Sequence, residues 1–183
     1  MAQRGGGGRR GRQRRQQQQY EELDKYPVMP PHAFARIVRD LRTLNIVYQV
    51  IEPPLTKKEE EVRSEIQAIF IQALTADIEE IDANPELYLR AAMDQIVKSY
   101  RLKVNKKSRS KIFYYLKRDL IGYGRMDVLM NDANVEDVSL DGTNIPIFAY
   151  HRKFESTETT IAWPDDQELE SYVIKLAQRC GKH

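Results

Sequence analysis

The sequence predicts an α+β protein. A β-hairpin followed by helices runs to about residue 122, and a small antiparallel sheet with a covering helix follows it. Three observations carry this reading. Two short runs rich in β-branched and aromatic residues, Ala33–Arg39 and Ile46–Ile51, flank a polar reversal. Between Thr56 and Leu120, apolar residues recur at three- and four-residue spacings behind helix-start residues. After Gly124 the period shortens toward two and turn residues crowd the chain.

The first 19 residues, MAQRGGGGRRGRQRRQQQQ, hold six arginines (Arg4, Arg9, Arg10, Arg12, Arg14, Arg15) and no acid. They offer no apolar face whose burial could offset the entropy of ordering, so a disordered tail is expected. The hairpin comes next, with Asp40–Asn45 as its reversal and Pro53-Pro54 closing it, because proline cannot extend a ladder.

Thr56 with Glu59 three residues on is a capping-box pattern. Val62, Ile66, Ile69, Phe70, Ala73 and Leu74 then form one apolar face, extended by Ile78 and Ile81. Asn84 as cap and Pro85 at the first helical position open a second helix, whose stripe is Leu89, Met93, Ile96, Val97 and Tyr100. The polar run Asn105–Ser108 separates it from a third helix, with Ile112, Tyr115, Leu116 and Leu120 inward and Gly122 or Gly124 as its stop.

Met126–Met130 reads as one helical turn, and Asp132-Ala133-Asn134 reverses the chain. Val135–Leu140 alternates apolar and polar residues, Asp141-Gly142 signals a hairpin, and Ile145–Tyr150 is its return strand. Thr157–Trp163 makes a third strand. Asp165 caps a last helix with Leu169, Tyr172, Val173, Leu176 and Ala177 on one face, and Gly181 at its end.

Composition narrows the function classes. Of 183 residues, 41% are apolar, enough for a core, and no run nears the roughly 20 apolar residues of a spanning helix. The basic N-terminus has no apolar stretch behind it of the kind a secretory signal carries. A single cysteine, Cys180, excludes an internal disulfide framework and suits a reducing compartment, so a cytoplasmic protein is expected. The net charge of +2 hides an asymmetry: outside the tail, 23 basic groups face all 27 acids.

No catalytic set stands out. No glycine-rich loop ending in Gly-Lys-Ser/Thr is present to cradle phosphate, and Gly122-x-Gly124 lacks the third glycine of a dinucleotide fingerprint. His32, His151 and His183 lie far apart, without partners at metal-ligand spacing. Cys180 sits on the apolar stripe of the last helix, as a packed thiol would. Asp127, Asp132, Glu136 and Asp137 make an acidic corner. It is either a divalent-cation site or a turn in which Asp132 and Asn134 bond their own backbone while Glu136 and Asp137 guard a strand edge. Tyr150-His151-Arg152-Lys153 is a basic cluster that could meet a phosphate or lie in a solvated turn. Arg179 closes the last helix, where it complements the helix dipole. The arginine tail allows weak, salt-sensitive nucleic-acid binding, but it has no aromatic residue to stack on bases.

The segments YEELDKY at Tyr20, VIEPPLTKKEE at Val50, GYGRMDVLMNDANVEDVSLDG at Gly122, IPIFAYHRKF at Ile145 and YVIKLAQRCGKH at Tyr172 occur in this order. In this respect the chain resembles the N-terminal region of the type II/type IV secretion, pilus and archaellum ATPases, above all their archaeal secretion branch. Asp127, Leu129, Asp132, Val135, Glu136, Asp137, Val138, Ser139 and Gly142 match the most specific motif of that family. The resemblance implies a regulatory and docking domain, residues 20–122 and 123–183, that precedes a RecA-like ATPase domain absent here. In the whole protein it implies a homo-hexamer, ATP with Mg²⁺ in the cleft between domains, and an inner-membrane platform protein as partner. It offers Arg152 and Arg179 as nucleotide contacts. It also implies a truncated chain or one product of a split gene, inactive alone and without a cofactor of its own. The alternative is a small nucleic-acid-binding or adaptor protein that works through its basic tail.

Overall fold

The computed structural model describes residues 19–73, 84–179 and 181. The arginine-rich tail, the helix extension through Ile78 and Ile81, Cys180 and His183 lie outside the described residues. The fold is α+β, as the sequence predicts, and it divides into two compact units. One comprises the chain up to Ile51 and from Val128 onward, and the other comprises Glu52–Asp127. The division expected at residue 122 therefore differs from the division of the structure, because the N-terminal strands belong with the C-terminal ones.

The first unit is built on one six-stranded sheet. Its strands are β1 (Tyr20–Met29), β2 (Ala33–Asp40), β3 (Ile46–Ile51), β4 (Val135–Ser139), β5 (Phe148–His151) and β6 (Glu155–Thr159), in the order β1-β2-β3-β6-β5-β4. The predicted hairpin is β2–β3, with Arg36 opposite Gln49 and Ile37 opposite Tyr48. Its reversal is fixed by Asp40, whose Oδ1 accepts from the backbone N–H groups of Arg42 (2.8 Å) and Thr43 (3.3 Å). These bonds, ahead of any nearby charge, hold the Asp40 carboxyl below its ordinary range.

Four features of this sheet depart from expectation. β1 is an additional strand that pairs antiparallel with β2, with register shifts between Glu22 and Asp24 and between Pro27 and Met29. Pro27 is tolerated because β1 is an edge strand. The two predicted sheets are also a single sheet, joined by parallel pairing of Val47 with Glu158 and Tyr48 with Thr159. The Asp141-Gly142 hairpin is not a two-residue turn. Ser139 pairs with Phe148, so residues 140–147 form the connection, and Asn144 N–H donates to Trp163 O at 2.7 Å. The third strand ends at Thr159 rather than at Trp163.

Buried side chains along the sheet include Ala35, Ile37, Tyr48, Ile147 and Ala149, on the alternation that a pleated strand imposes. The last helix, Asp166–Arg179, is capped by Asp165, whose Oδ1 accepts from Glu168 N–H at 2.8 Å. Tyr172 stacks on buried Trp163 with ring centroids 4.7 Å apart. Val173, expected inward, is 46% exposed, and Ile174 beside it is 50% exposed.

The second unit holds three helices: α1 (Lys57–Ala73), α2 (Pro85–Ser99) and α3 (Lys106–Leu116). α1 and α2 start where their cap residues predict, whereas α3 starts within the polar run expected to separate it from α2, with Asn105 as its cap. Thr56 N–H donates to Glu59 Oε2 at 2.8 Å while Glu59 N–H donates to Thr56 Oγ1 at 3.2 Å, a closed capping box. Asn84 accepts from Leu87 N–H, with Pro85 in the first turn, and Asn105 accepts from Ser108 N–H at 2.9 Å. Their stripes meet in one core of Ile66, Phe70, Leu89, Met93, Ile96, Val97, Ile112, Phe113 and Leu116. Beyond α3 the chain widens into a π turn, Lys117–Ile121, before Gly122. A short helix, α4 (Asp127–Met130), follows; the last helix, Asp166–Arg179, is α5. No helix among the described residues is long and apolar enough to cross a membrane.

Candidate functional site

The polar centre of the first unit is assembled from four separate places in the chain. The α4–β4 turn supplies Asp132, β1 supplies Tyr26, β3 supplies Tyr48 and β5 supplies His151. Tyr48, with no exposed surface, donates its hydroxyl to Asp132 Oδ2 at 2.6 Å, and Tyr26 donates to the same oxygen at 2.7 Å. The other carboxylate oxygen, Oδ1, accepts from Asn134 N–H at 2.8 Å and from its side-chain amide at 3.2 Å. Asp132 thus bonds its own turn, as one reading of the acidic corner expects.

His151 completes the chain of bonds. Its Nδ1 accepts from Lys153 N–H at 3.1 Å, which leaves the ring proton on Nε2, 2.9 Å from the Tyr26 oxygen. Nε2–H therefore donates to Tyr26, and Tyr26 donates onward to Asp132. Both tyrosine hydroxyls are pushed above their ordinary value, first by burial and then by the bond to the carboxylate. The His151 imidazole is pushed below its ordinary value by burial, against the pull of Asp132 and Asp24. Among the described residues, no buried side-chain nitrogen or oxygen lacks a partner. A network so closed holds the strands in register.

The second unit has its own polar centre at Arg118. One guanidinium nitrogen lies 2.9 and 2.8 Å from the two Glu52 oxygens, and Nε lies 2.7 Å from Asp119. Tyr114 donates to Glu52 Oε1 at 2.6 Å, Arg63 reaches Asp119 at 2.7 Å, and the guanidinium sits 4.6 Å from the Tyr115 ring centre. Burial alone would lower the Arg118 pKa, but Asp119 and Glu52 outweigh it and raise it. The Tyr115 hydroxyl is pushed up to about 12, chiefly by burial.

The motif residues fall into two groups. Asp127, Leu129 and Asp132 are buried, and Asp127 Oδ1 accepts from Tyr123 N–H at 2.8 Å. Glu136 and Asp137 are exposed on the edge strand β4, and Gly142 takes a φ of +136° that suits glycine. Among the described residues, no three His, Cys, Asp or Glu side chains are grouped to hold a metal ion.

The basic cluster is not one patch. His151 is buried, Arg152 Nε pairs with Glu136 at 2.9 Å, and Lys153 pairs with Asp24 at 3.2 Å. Arg179 ends α5. The structure brings Arg152 to the motif residue Glu136, and the Arg179 side chain lies outside what the structure describes. Sequence reasoning missed the roles of Tyr26, Tyr48 and His151 altogether. An isolated histidine beside two distant tyrosines carries no spacing signal.

No family model matches the chain. It is similar to three proteins of Methanocaldococcus jannaschii. Uncharacterized protein MJ1288 is 41% identical over 136 residues, covering 74% of this chain and 54% of that protein. Uncharacterized protein MJ0900 is 34% identical over 82 residues, 45% of this chain and 15% of that protein. Uncharacterized protein MJ0781 is 36% identical over 66 residues, 36% of this chain and 9% of that protein. The chain therefore spans about half the length of the first and a small part of the other two.

Proposed function

We propose that the chain is the N-terminal regulatory and docking part of a secretion-, pilus- or archaellum-type ATPase. The observation that carries this reading is the division of labour within the acidic motif. Asp127, Leu129 and Asp132 are buried as fixed anchors, while Glu136 and Asp137 stand exposed on an edge strand. Motif residues spent on rigidity suit a module that moves as a body when a neighbouring domain closes on its ligand. In this reading ATP and Mg²⁺ are gripped by the ATPase domain, six such proteins form a ring, and a membrane platform protein receives the motion. Arg152 is the nucleotide-facing candidate on this part. Its ion pair with Glu136 is exposed, with 63% and 48% of the two side chains accessible, and such a pair is easily exchanged for a phosphate. Arg179 is the second candidate.

Two experiments test the reading. The coding sequence downstream of residue 183, in the same or the adjacent gene, should encode a phosphate-binding loop, and its absence from both would end the proposal. The purified chain with ATP and Mg²⁺ should release no phosphate above background. Sustained turnover by the chain alone would equally overturn the reading.

A further inference from the structure

The helical unit carries an unused cationic surface. The starts of α1 and α3 border a cavity of about 320 Å³, whose wall includes Thr56, Lys58, Val62, Lys103, Asn105 and Ser108. Lys57, Lys106 and Lys107 adjoin these lining residues in the chain, and all five lysines are exposed. None of the five has an ion pair or a side-chain hydrogen bond among the described residues. This sets them apart from the other cations nearby: Lys111 is spent on Glu59 at 2.6 Å, Arg63 on Asp119 and Arg109 on Asp94. The acids that could answer the patch are largely engaged. Glu59 is buried with its pKa depressed to about 2 by Lys111 and the capping box, Glu60 is held by Arg63, and only Glu61 is left exposed beside the lysines.

We propose that this lysine patch is a docking surface for an anionic lipid bilayer, with headgroup phosphates meeting the rim of the cavity. Three observations favour a bilayer over a nucleic acid. The cations lining the cavity are lysines, whose flexible stems carry compact point charges to a surface without fixed geometry, rather than arginines placed for paired hydrogen bonds. The cavity wall has an apolar side, Val62, Val104 and Ile112, beneath its polar rim. No aromatic residue lines it to stack on a base. This inference does not depend on the function proposed above, since lipid binding can be present or absent in either case.

The test is flotation of the full chain with vesicles of phosphatidylcholine alone or mixed with phosphatidylglycerol, across a salt series. Because the six tail arginines would also attract anions, they are first replaced together by glutamine. This tail variant should still float with the mixed vesicles, lose binding as salt rises, and ignore the neutral ones. Each lysine near such a surface changes partitioning by about fivefold. Adding Lys58→Gln, Lys103→Gln, Lys106→Gln and Lys107→Gln should therefore weaken binding at least about a hundredfold, with thermal unfolding unchanged. Should the fourfold change unfold the protein, the pairs Lys58→Gln/Lys103→Gln and Lys106→Gln/Lys107→Gln should each cost about twentyfold. The proposal is overturned if the tail variant does not float, or if the lysine changes leave binding intact. Equal binding to neutral vesicles would also overturn it, as would displacement by inorganic phosphate at matched ionic strength. So would lysine-dependent binding of a mixed-sequence single-stranded RNA without vesicle binding.

Discussion

Tyr48 and Asp132 lie 84 positions apart in the chain, yet the tyrosine hydroxyl sits 2.6 Å from the carboxylate, the shortest of the bonds that Asp132 makes. This bond ties the centre of the six-stranded sheet to the turn that precedes its last edge strand. It is one of four hydrogen bonds that the Asp132 carboxylate accepts.

Asp132→Asn should therefore destabilise the protein by about 2–4 kcal/mol, since two hydroxyls lose a charged acceptor worth roughly 1.5–3 kcal/mol each and regain part of it from the amide. Tyr48→Phe removes one donor and leaves the other three, so about 1–2 kcal/mol is expected. Urea unfolding of both variants checks the order. A loss at Tyr48→Phe exceeding that at Asp132→Asn would show that ring packing, not the carboxylate, dominates.

Acid should loosen the same centre through His151. The ring is neutral in the folded protein, its pKa lowered by burial from the ordinary 6.5, and its Nδ1 is already occupied as an acceptor. The unfolded chain thus takes up a proton first as pH falls. The contribution of His151 is complete above 6.5 and declines below it, before the carboxylates titrate. His32 shifts the same way for the same reason, so the comparison needs His151→Gln. That variant should be less stable at neutral pH and show a shallower fall in stability below 6.5. An unaltered slope would remove His151 from the explanation.

In the helical unit, Arg118→Lys should cost about 2–3 kcal/mol, because an ammonium cannot serve Glu52, Asp119 and the Tyr115 face together. Only 15% of the Arg118 side chain and 21% of Glu52 are accessible, so solvent does little to replace the lost bonds. Glu52→Gln alone should cost a comparable amount, and the double variant less than the sum of the two. Additive losses in a denaturation cycle would refute the coupling.

Gly122→Ala should destabilise by about 1–3 kcal/mol through crowding alone. A Cβ there would overlap Asp127 Oδ1 and stand 2.8 Å from the Arg118 carbonyl oxygen, and the latter belongs to backbone that cannot swing aside. A thermal midpoint equal to that of the parent would show that the loop gives way freely.

How much of this was legible depended on how far apart the partners lie. Thr56, Glu59 and Asn84 declare helix starts because each cap bonds within three residues of itself, whereas Asn105, which caps α3 in the same way, stands in a polar run that reads as a break. β1 escaped for a local reason. The extra residue between Glu22 and Asp24 breaks the two-residue alternation and leaves Tyr20, Leu23 and Tyr26 spaced by threes. The β3–β6 pairing escaped for a global one, since nothing near Val47 announces Glu158 as its partner. The acidic corner was half legible: Asp132 bonding Asn134 is a local habit of such turns, whereas its two tyrosines arrive from β1 and β3.

The parallel join between β3 and β6 also sets a timetable. A ribosome delivers Tyr20 to Ile51 first, then the whole helical stretch, and only much later Thr159, so β3 must wait with a bare edge while more than half of the chain is still being made. The helices face no such delay, since every member of their core is present once Leu116 has emerged. The newborn protein thus matures from its middle outward, and the waiting strand is where a chaperone would have most to shield.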